Sequence, residues 1–361
     1  MVSDDSSSHG ASAFEQLLDS TTESPIRQPG PGVPGTAPRK RNLRSRLSLS
    51  DQVFRSVARA GGSVVLILMI MVGTFLAYRA AQALHVAGWS FLTTAAWSPN
   101  GGGFGIAAVM VGTFLISLVA IVTAIPLALG TALYISEYAP RAIQRLLISM
   151  VDLMAAVPSV VFGLWGFKLF QWAIAPLARW LADWASWFPL FHVSGYQRGS
   201  PAPSLTTFTS SSFAAGLVVA LMITPIICSV MREAFSQAPV GEREGAYALG
   251  ATRWGMIRAV VLPFGTGAMI GGTMLGLGRA LGETLAVTLI ISALYSIQPH
   301  ILQQGTSSVS SLIALNWSDA TPFGVSALMA AGLALFAVTL IVNFIAARIV
   351  ARSRSGALSE A

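Results

Sequence analysis

Charged residues are scarce in this sequence. Of its 361 residues, 10% are Asp, Glu, Lys or Arg, whereas 54% are hydrophobic. A soluble domain usually carries about 25% charged residues. The composition therefore predicts an integral membrane protein and argues against a soluble domain.

Cysteine and histidine are also rare. The single cysteine, Cys228, lies in an apolar run, so the chain cannot form an internal disulfide or a cysteine-based metal site. The four histidines are far apart in the sequence and form no metal-ligand pattern. No nucleophile motif or nucleotide loop is present either, and we expect a chain that is not an enzyme.

The net charge of +7 could indicate a nucleic-acid partner. Here the basic residues lie in particular loops beside apolar runs, which is typical of membrane topology. We therefore predict contact with membrane lipid and no nucleic acid.

Six apolar runs are long enough to cross the roughly 30 Å hydrocarbon layer as helices, which takes about 20 residues each. The sequence thus predicts an all-α integral membrane protein with six transmembrane helices. The predicted spans are 63–84, 106–134, 146–172, 213–233, 264–294 and 324–350.

Lysine and arginine fix the predicted orientation. With both termini in the cytoplasm, sixteen of these residues lie inside and four outside, as the positive-inside rule requires. The connection 173–212 is then external. Its tryptophans are predicted to be interfacial anchors, and a docking surface for an external partner is the alternative.

The first 55 residues form a tail rich in Ser, Gly and Pro. Such a segment buries too little apolar surface to fold alone, so residues 1–55 are predicted to be a disordered cytoplasmic tail. Residues 56–352 are predicted to form the membrane domain. The N-terminal stretch lacks the pattern of a cleaved signal peptide, and its basic run RKRNLRSR is best explained as a topology anchor on anionic lipid.

The connection 234–263 between spans 4 and 5 is amphipathic and contains GEREGAYALGATRWGMIRAVVLP. Gly250 is expected to divide it into two short helices, because glycine costs about 1 kcal/mol in a helix interior. Pro263 is expected to begin span 5. An ordinary amphipathic helix on the inner leaflet would explain the same composition.

This loop resembles the cytoplasmic "EAA" motif of binding-protein-dependent ABC importer permeases. Glu244 and Ala246 match its first and third positions, Gly250 has the right spacing, and Leu262 and Pro263 close the motif in register. Two positions depart from the motif without changing its pattern: Gly245 replaces the second alanine, and Val260 replaces isoleucine.

The resemblance implies the type I ABC importer permease fold and a coupling helix that fits a groove on an ATPase subunit. This chain has no G-x-x-x-x-G-K-[ST] sequence to cradle ATP phosphates. We therefore expect no cofactor in this chain, with ATP and Mg²⁺ bound by a separate partner ATPase.

Three further stretches are similar to segments of phosphate-transporter permeases: ALYISEYAP (132–140), MAAVPSVVFGLWG (154–166) and GLGRALGETLAVTLI (276–290). The last resembles the PstC-type subunit more than its PstA-type partner, and the similarity covers about residues 55–350. It implies a bacterial plasma-membrane complex with a second permease subunit of the PstA type, two copies of an ATP-binding subunit and an external phosphate-binding protein.

Arg279 and Glu283 stand four residues apart in predicted span 5, so they are expected to share one helix face. Arg279 lies about 24 Å along the helix from Pro263, and a charge at that depth is expected to face the bundle interior. Either the pair is a structural ion bridge, or it lines an anion path. Six glycines surround it and would allow close helix packing. They are Gly267, Gly271, Gly272, Gly276, Gly278 and Gly282.

For the anion path, we expect Glu283 to pair with Arg279 in the absence of substrate and to accept a hydrogen bond from the protonated oxygen of HPO₄²⁻ when phosphate arrives, which sulfate cannot offer at neutral pH. Other cargoes, such as sulfate or molybdate, fit the same machinery. A secondary transporter or channel is the less favoured alternative, because those usually show paired broken helices in inverted repeats, which this sequence lacks.

Overall fold

The computed structural model describes residues 49–101, 103–196 and 205–355. The boundary between two units of the chain lies between residues 62 and 63. The predicted disordered tail lies outside the described residues except for 49–55, which belong to helix Leu49–Ala87. The domain boundary at 55–56 stays a prediction.

The described residues contain six helices that are long and apolar enough to cross a membrane. They are span 1 (Ser50–Ala87), span 2 (Ala107–Tyr138), span 3 (Ser159–Trp184), span 4 (Ser212–Ser236), span 5 (Arg253–Gly282) and span 6 (Pro322–Ile349). The predicted number of spans is confirmed, and the predicted bounds of spans 3 and 5 are wrong.

Shorter elements connect the spans. The short helices are Ser90–Thr93, Arg141–Ala156, Val240–Ala248, Leu285–Ile290 and Val309–Asn316. Strands β1 (Trp97–Ser98) and β2 (Gly103–Phe104) pair antiparallel. Turns of 3₁₀ helix cover Pro99–Gly101, Pro189–Phe191 and Leu205–Phe208. Wider π turns end span 2 at Tyr134–Tyr138 and interrupt spans 3 and 5 at Gly166–Phe170 and Ile257–Val261. The last of these separates Arg253–Met256 from Leu262–Gly282.

Span 3 begins later than predicted, because Pro158 separates two helices within the predicted span. Helix Arg141–Ala156 ends before Val157, whose ψ of 128° is extended. A residue before proline is pushed out of the helical region by the proline ring. Pro158 then precedes span 3, which continues to Trp184. Residues 173–184 of the predicted external connection 173–212 are therefore helix.

Span 5 ends earlier than predicted. Its helix stops at Gly282, and Glu283 is extended with a ψ of 122°. Helix Leu285–Ile290 follows, and the next helix begins only at Val309. The sequence stays apolar beyond the end of span 5, up to residue 294, because half of helix Leu285–Ile290 is buried against other parts of the protein.

Spans 2 and 4 form the centre of the membrane domain. Span 2 has a row of alanines at every fourth position that are 0% exposed: Ala120, Ala124, Ala128 and Ala132. A methyl group on Gly216 of span 4 would lie 2.6 Å from the Cβ of Val119. Small residues therefore let these two helices approach closely.

The second half of span 1 packs on span 6. The hydroxyl of Ser326 donates to the carbonyl of Arg79 at 2.8 Å and accepts from the amide of Ala83 at 3.1 Å. Ala83 is 0% exposed. In contrast, no side chain in the most apolar stretch of span 1 is buried, which leaves an apolar surface of the kind that hydrocarbon covers.

Candidate functional site

The predicted coupling loop contains one short helix followed directly by span 5. Helix Val240–Ala248 has no buried residue, and Glu244 and Gly245 are exposed on it. Ala246 packs partly against the central core. The motif therefore presents its glutamate outward and uses its alanine to seat the helix.

Gly250 ends this helix in the way that its sequence position predicted. Its φ is +82°, its amide donates to Tyr247 O at 2.9 Å, and the amide of Ala251 donates to Ala246 O at 3.0 Å. These two bonds form a Schellman motif, which favours glycine at this position. The second helix is longer than predicted, because it is span 5 itself, capped by the Thr252 hydroxyl on Gly255 N.

Leu262 and Pro263 begin the α-helix Leu262–Gly282, with the proline in its first turn as predicted, but span 5 as a whole begins earlier, at Arg253. They follow the π turn Ile257–Val261, in which the amide of Leu262 bonds to Ile257 O. Leu262 is partly buried against the core, and Pro263 is exposed. These residues therefore anchor the loop at its membrane end and are not part of its exposed helix.

Sequence reasoning missed the exposed apolar side chains around Glu244. Four of them belong to the loop and the first turn of span 5: Val240 (67% exposed), Tyr247 (44%), Leu249 (91%) and Trp254 (56%). Apolar residues this exposed on a polar loop commonly mark a protein interface. The mixed composition of the loop was the available signal.

Arg279 lies near the end of span 5 and lines a cavity of about 610 Å³. Span 4 contributes Ile226 to this cavity, and span 6 contributes Thr339 and Asn343. No carboxylate among the described residues lies within ion-pair distance of Arg279. The guanidinium is exposed in the single chain and is available to an anion.

The glycines of span 5 divide between two faces. A methyl group on Gly276 would lie 2.5 Å from Ile227 Cδ1, and one on Gly272 would lie 3.3 Å from Val230, so this face packs on span 4. Methyl groups on Gly267, Gly271 or Gly278 would meet nothing within 4 Å. Gly271 and Gly278 line the Arg279 cavity. Gly272 and Gly276 thus allow the close helix packing that the sequence predicted, whereas Gly271 and Gly278 border the cavity.

The prediction that Arg279 and Glu283 share a helix face is wrong, because the helix ends at Gly282 between them. The two residues form no ion pair in this structure. Glu283 is 8% exposed, and one carboxylate oxygen accepts the amide of Ala286 at 3.3 Å. Its backbone carbonyl accepts the hydroxyl of Ser310 at 2.9 Å. Because the helix ends between them, Glu283 does not continue the helix face on which Arg279 lies.

A cluster of buried hydroxyl groups surrounds this break, and sequence reasoning missed it. The Ser308 hydroxyl caps helix Val309–Asn316 on Ser311 N, and Thr113 of span 2 accepts from Val309 N at 3.0 Å. The run TSSVSS at 306–311 was the signal. These bonds tie the end of span 5 to span 2.

Comparison with known proteins shows which family this chain belongs to. The family described as binding-protein-dependent transport system inner membrane component matches residues 124–355. The chain belongs to this family. Membership confirms the resemblance that the EAA motif indicated, and it decides against a secondary transporter or channel.

Several bacterial members of this transport family are similar over most of the chain. "Phosphate transport system permease protein PstC 2" of Mycobacterium tuberculosis is 38% identical over 297 residues, which is 81% of this chain and 89% of the relative. "Phosphate transport system permease protein PstC" of Mycobacterium leprae is 39% identical over 82% of this chain and 92% of the relative. The protein of that name from Pasteurella multocida is 36% identical over 84% and 92%.

A solved structure supports the fold. A bacterial ABC transporter involved in the import of the acidic polysaccharide alginate has a chain that aligns with a TM-score of 0.52 at 16% identity. The alignment covers 83% of this chain and 99% of that chain. The fold is therefore that of a type I ABC importer permease, and the chain is an integral membrane transport component.

Proposed function

We propose that this chain is a permease subunit of an ATP-driven importer of inorganic phosphate and forms half of its translocation path. The names of the similar relatives support phosphate as the cargo. The observation that carries the proposal is Arg279, a guanidinium without a carboxylate partner among the described residues, in a cavity lined by glycine.

Arginine suits a phosphate path for physical reasons. It stays protonated at all relevant pH values, and its planar fork matches two phosphate oxygens at once. A charged side chain at the centre of a membrane helix is unfavourable by about 2.5–3.5 kcal/mol on insertion scales. The penalty is smaller near the end of a span, where Arg279 lies, but an arginine there still favours a compensating partner, and a transient anion supplies one.

The partners follow from the family and the exposed loop. A second permease subunit of the PstA type completes the path, and an external phosphate-binding protein delivers the anion. Two copies of an ATP-binding subunit bind ATP and Mg²⁺ and receive helix Val240–Ala248 with its exposed apolar neighbours. The positive-inside pattern supports an orientation with both termini on the cytoplasmic side of a bacterial plasma membrane.

The test is uptake of labelled phosphate at low external phosphate, in cells that lack this gene and carry wild-type or variant chains at equal abundance. We expect Arg279→Gln to lower the uptake rate by about tenfold or more, because a hydrogen bond to a charged group contributes about 1.5–3 kcal/mol. Arg141→Gln is the matched control, because it removes an exposed arginine outside the cavity.

Uptake that survives Arg279→Gln would remove Arg279 from the path while leaving phosphate as the cargo. If the assembled wild-type chain itself restores no uptake, phosphate is the wrong cargo. Sulfate and molybdate would then be tested through the same complex.

A further inference from the structure

Glu137 and Arg243 form the one ion pair found among the described residues. Arg243 Nη1 lies 3.1 Å from Glu137 Oε2, and the side chains are 20% and 4% exposed, respectively. The pair joins residues 106 positions apart in sequence. It therefore connects the end of span 2 to the helix of the coupling loop.

The local structure around Glu137 is a π turn, Tyr134–Tyr138, that ends span 2. In this turn the amide of Ala139 bonds to the carbonyl of Tyr134 at 2.8 Å, one residue further back than in an α-helix. The extra residue changes the direction of the side chains that follow it, and such turns are frequent at functional sites. Glu137 is buried there.

Arg243 joins three elements through one guanidinium. It stands on helix Val240–Ala248, its Nη1 meets Glu137, and its Nη2 donates to the carbonyl of Phe235 near the end of span 4. A second contact reaches the same π turn from the far side of the loop, where the guanidinium of Arg253 lies 5.3 Å from the ring centre of Tyr138. The π turn is thus held by residues on both sides of Gly250.

The pair is incompletely bonded despite its burial. Glu137 Oε1 and Arg243 Nε are buried and have no hydrogen-bond partner among the described residues. A contact selected for stability alone would satisfy both atoms, because buried unpaired polar atoms are unfavourable. The two unused atoms therefore indicate that the pair does more than add stability.

We infer that Glu137 and Arg243 form the joint through which motion of helix Val240–Ala248 is transmitted to span 2. This inference rests on the proposed function, in which an ATPase moves that helix. Arg243 is a positioning residue here, because it contacts neither phosphate nor nucleotide. Breaking the joint should let the ATPase cycle without moving span 2.

The deciding experiment compares four forms of the purified complex in proteoliposomes: wild type, Glu137→Gln, Arg243→Gln and the double variant. Each is assayed for phosphate moved per ATP hydrolysed. A single change leaves one buried charge unpaired, so it can reduce assembly as well as coupling. The double variant leaves no unpaired charge and separates the two effects.

We expect the double variant to assemble and hydrolyse ATP as wild type does, while phosphate moved per ATP falls about fivefold or more. That is the lower end of the range typical of coupling between two sites. Glu233→Gln is the matched control, because it removes an exposed carboxylate at the end of span 4 and should leave the ratio unchanged. A double variant that couples as well as wild type would overturn the joint.

A second measurement does not depend on the cargo. Spin labels at Leu127→Cys on span 2 and Glu242→Cys on the loop helix, with Cys228→Ala, report the distance between the two elements. With the joint intact, this distance stays the same with and without ATP, and in the double variant it changes with ATP. If the wild-type complex moves no phosphate, the proposed cargo is wrong, but this distance still tests the joint between Glu137 and Arg243. A distance that changes with ATP in the wild type would refute the joint.

Discussion

The carboxylate of Glu283 stands where span 5 stops being helical. One of its oxygens accepts the amide of Ala286, and the other accepts no hydrogen bond from the described residues. The hydroxyl of HPO₄²⁻ can donate a hydrogen bond to a carboxylate, whereas sulfate has no hydrogen-bond donor at neutral pH. If phosphate passes Glu283 during transport, this carboxylate would favour the anion that brings its own hydrogen-bond donor.

We expect Glu283→Gln to weaken the discrimination between phosphate and sulfate, because the glutamine amide can donate a hydrogen bond to either anion. The measurement is competition of unlabelled sulfate against labelled phosphate uptake, with Gln303→Glu as a control that alters charge outside the span. A Glu283→Gln chain that carries phosphate normally and still ignores sulfate would contradict this role.

Among the elements, the coupling loop places two glycines in opposite situations. Gly245 lies within helix Val240–Ala248, where an added methyl group meets nothing within 4 Å. Gly250 ends the helix with a φ of +82°. The first glycine weakens the helix that carries the motif, and the second is required by the turn that follows it.

We expect Gly245→Ala to stabilise the loop helix by about 0.5–1 kcal/mol and Gly250→Ala to destabilise it by roughly 1–2 kcal/mol. Amide hydrogen exchange of residues 240–251 in the purified complex measures both changes locally. If exchange changes in the same direction in both variants, the positive φ is not the reason that glycine is required at position 250.

The sequence correctly predicted the elements that depend on local signals. It misplaced the ends of two spans where apolar side chains are covered by protein and not by lipid. The break at Gly250 follows from the motif and the glycine, and the structure confirms it. Spans 3 and 5 were misplaced because apolar composition continues on both sides of Pro158 and Gly282. Hydropathy does not distinguish a side chain covered by hydrocarbon from one covered by protein, as in helix Leu285–Ile290.

The candidate site divides in the same way. Arg279 was identified as a charge in an apolar run, and its cavity agrees with that interpretation. Its neighbours Thr339 and Asn343 come from span 6, and Glu137 meets Arg243 across more than a hundred residues. No local pattern encodes such contacts, because they depend on how the helices pack.

For the whole molecule, the proposed orientation gives a direct expectation. In a Cys228→Ala chain, a membrane-impermeant thiol reagent added to intact cells should label Trp187→Cys. It should label Glu242→Cys only after the membrane is opened. Both positions are exposed, Trp187 at 81%. The reverse pattern would invert the molecule and with it the assignment of the coupling loop to the cytoplasm.

The buried pair between Glu137 and Arg243 also limits how such subunits can be recombined. Transplanting residues 234–263 from another importer would exchange the arginine but leave the glutamate, which is 4% exposed. If the donor loop has no cation at that position, the host keeps a buried carboxylate with no counter-charge, which is strongly unfavourable. A working chimera therefore has to take the end of span 2 and the loop from the same parent.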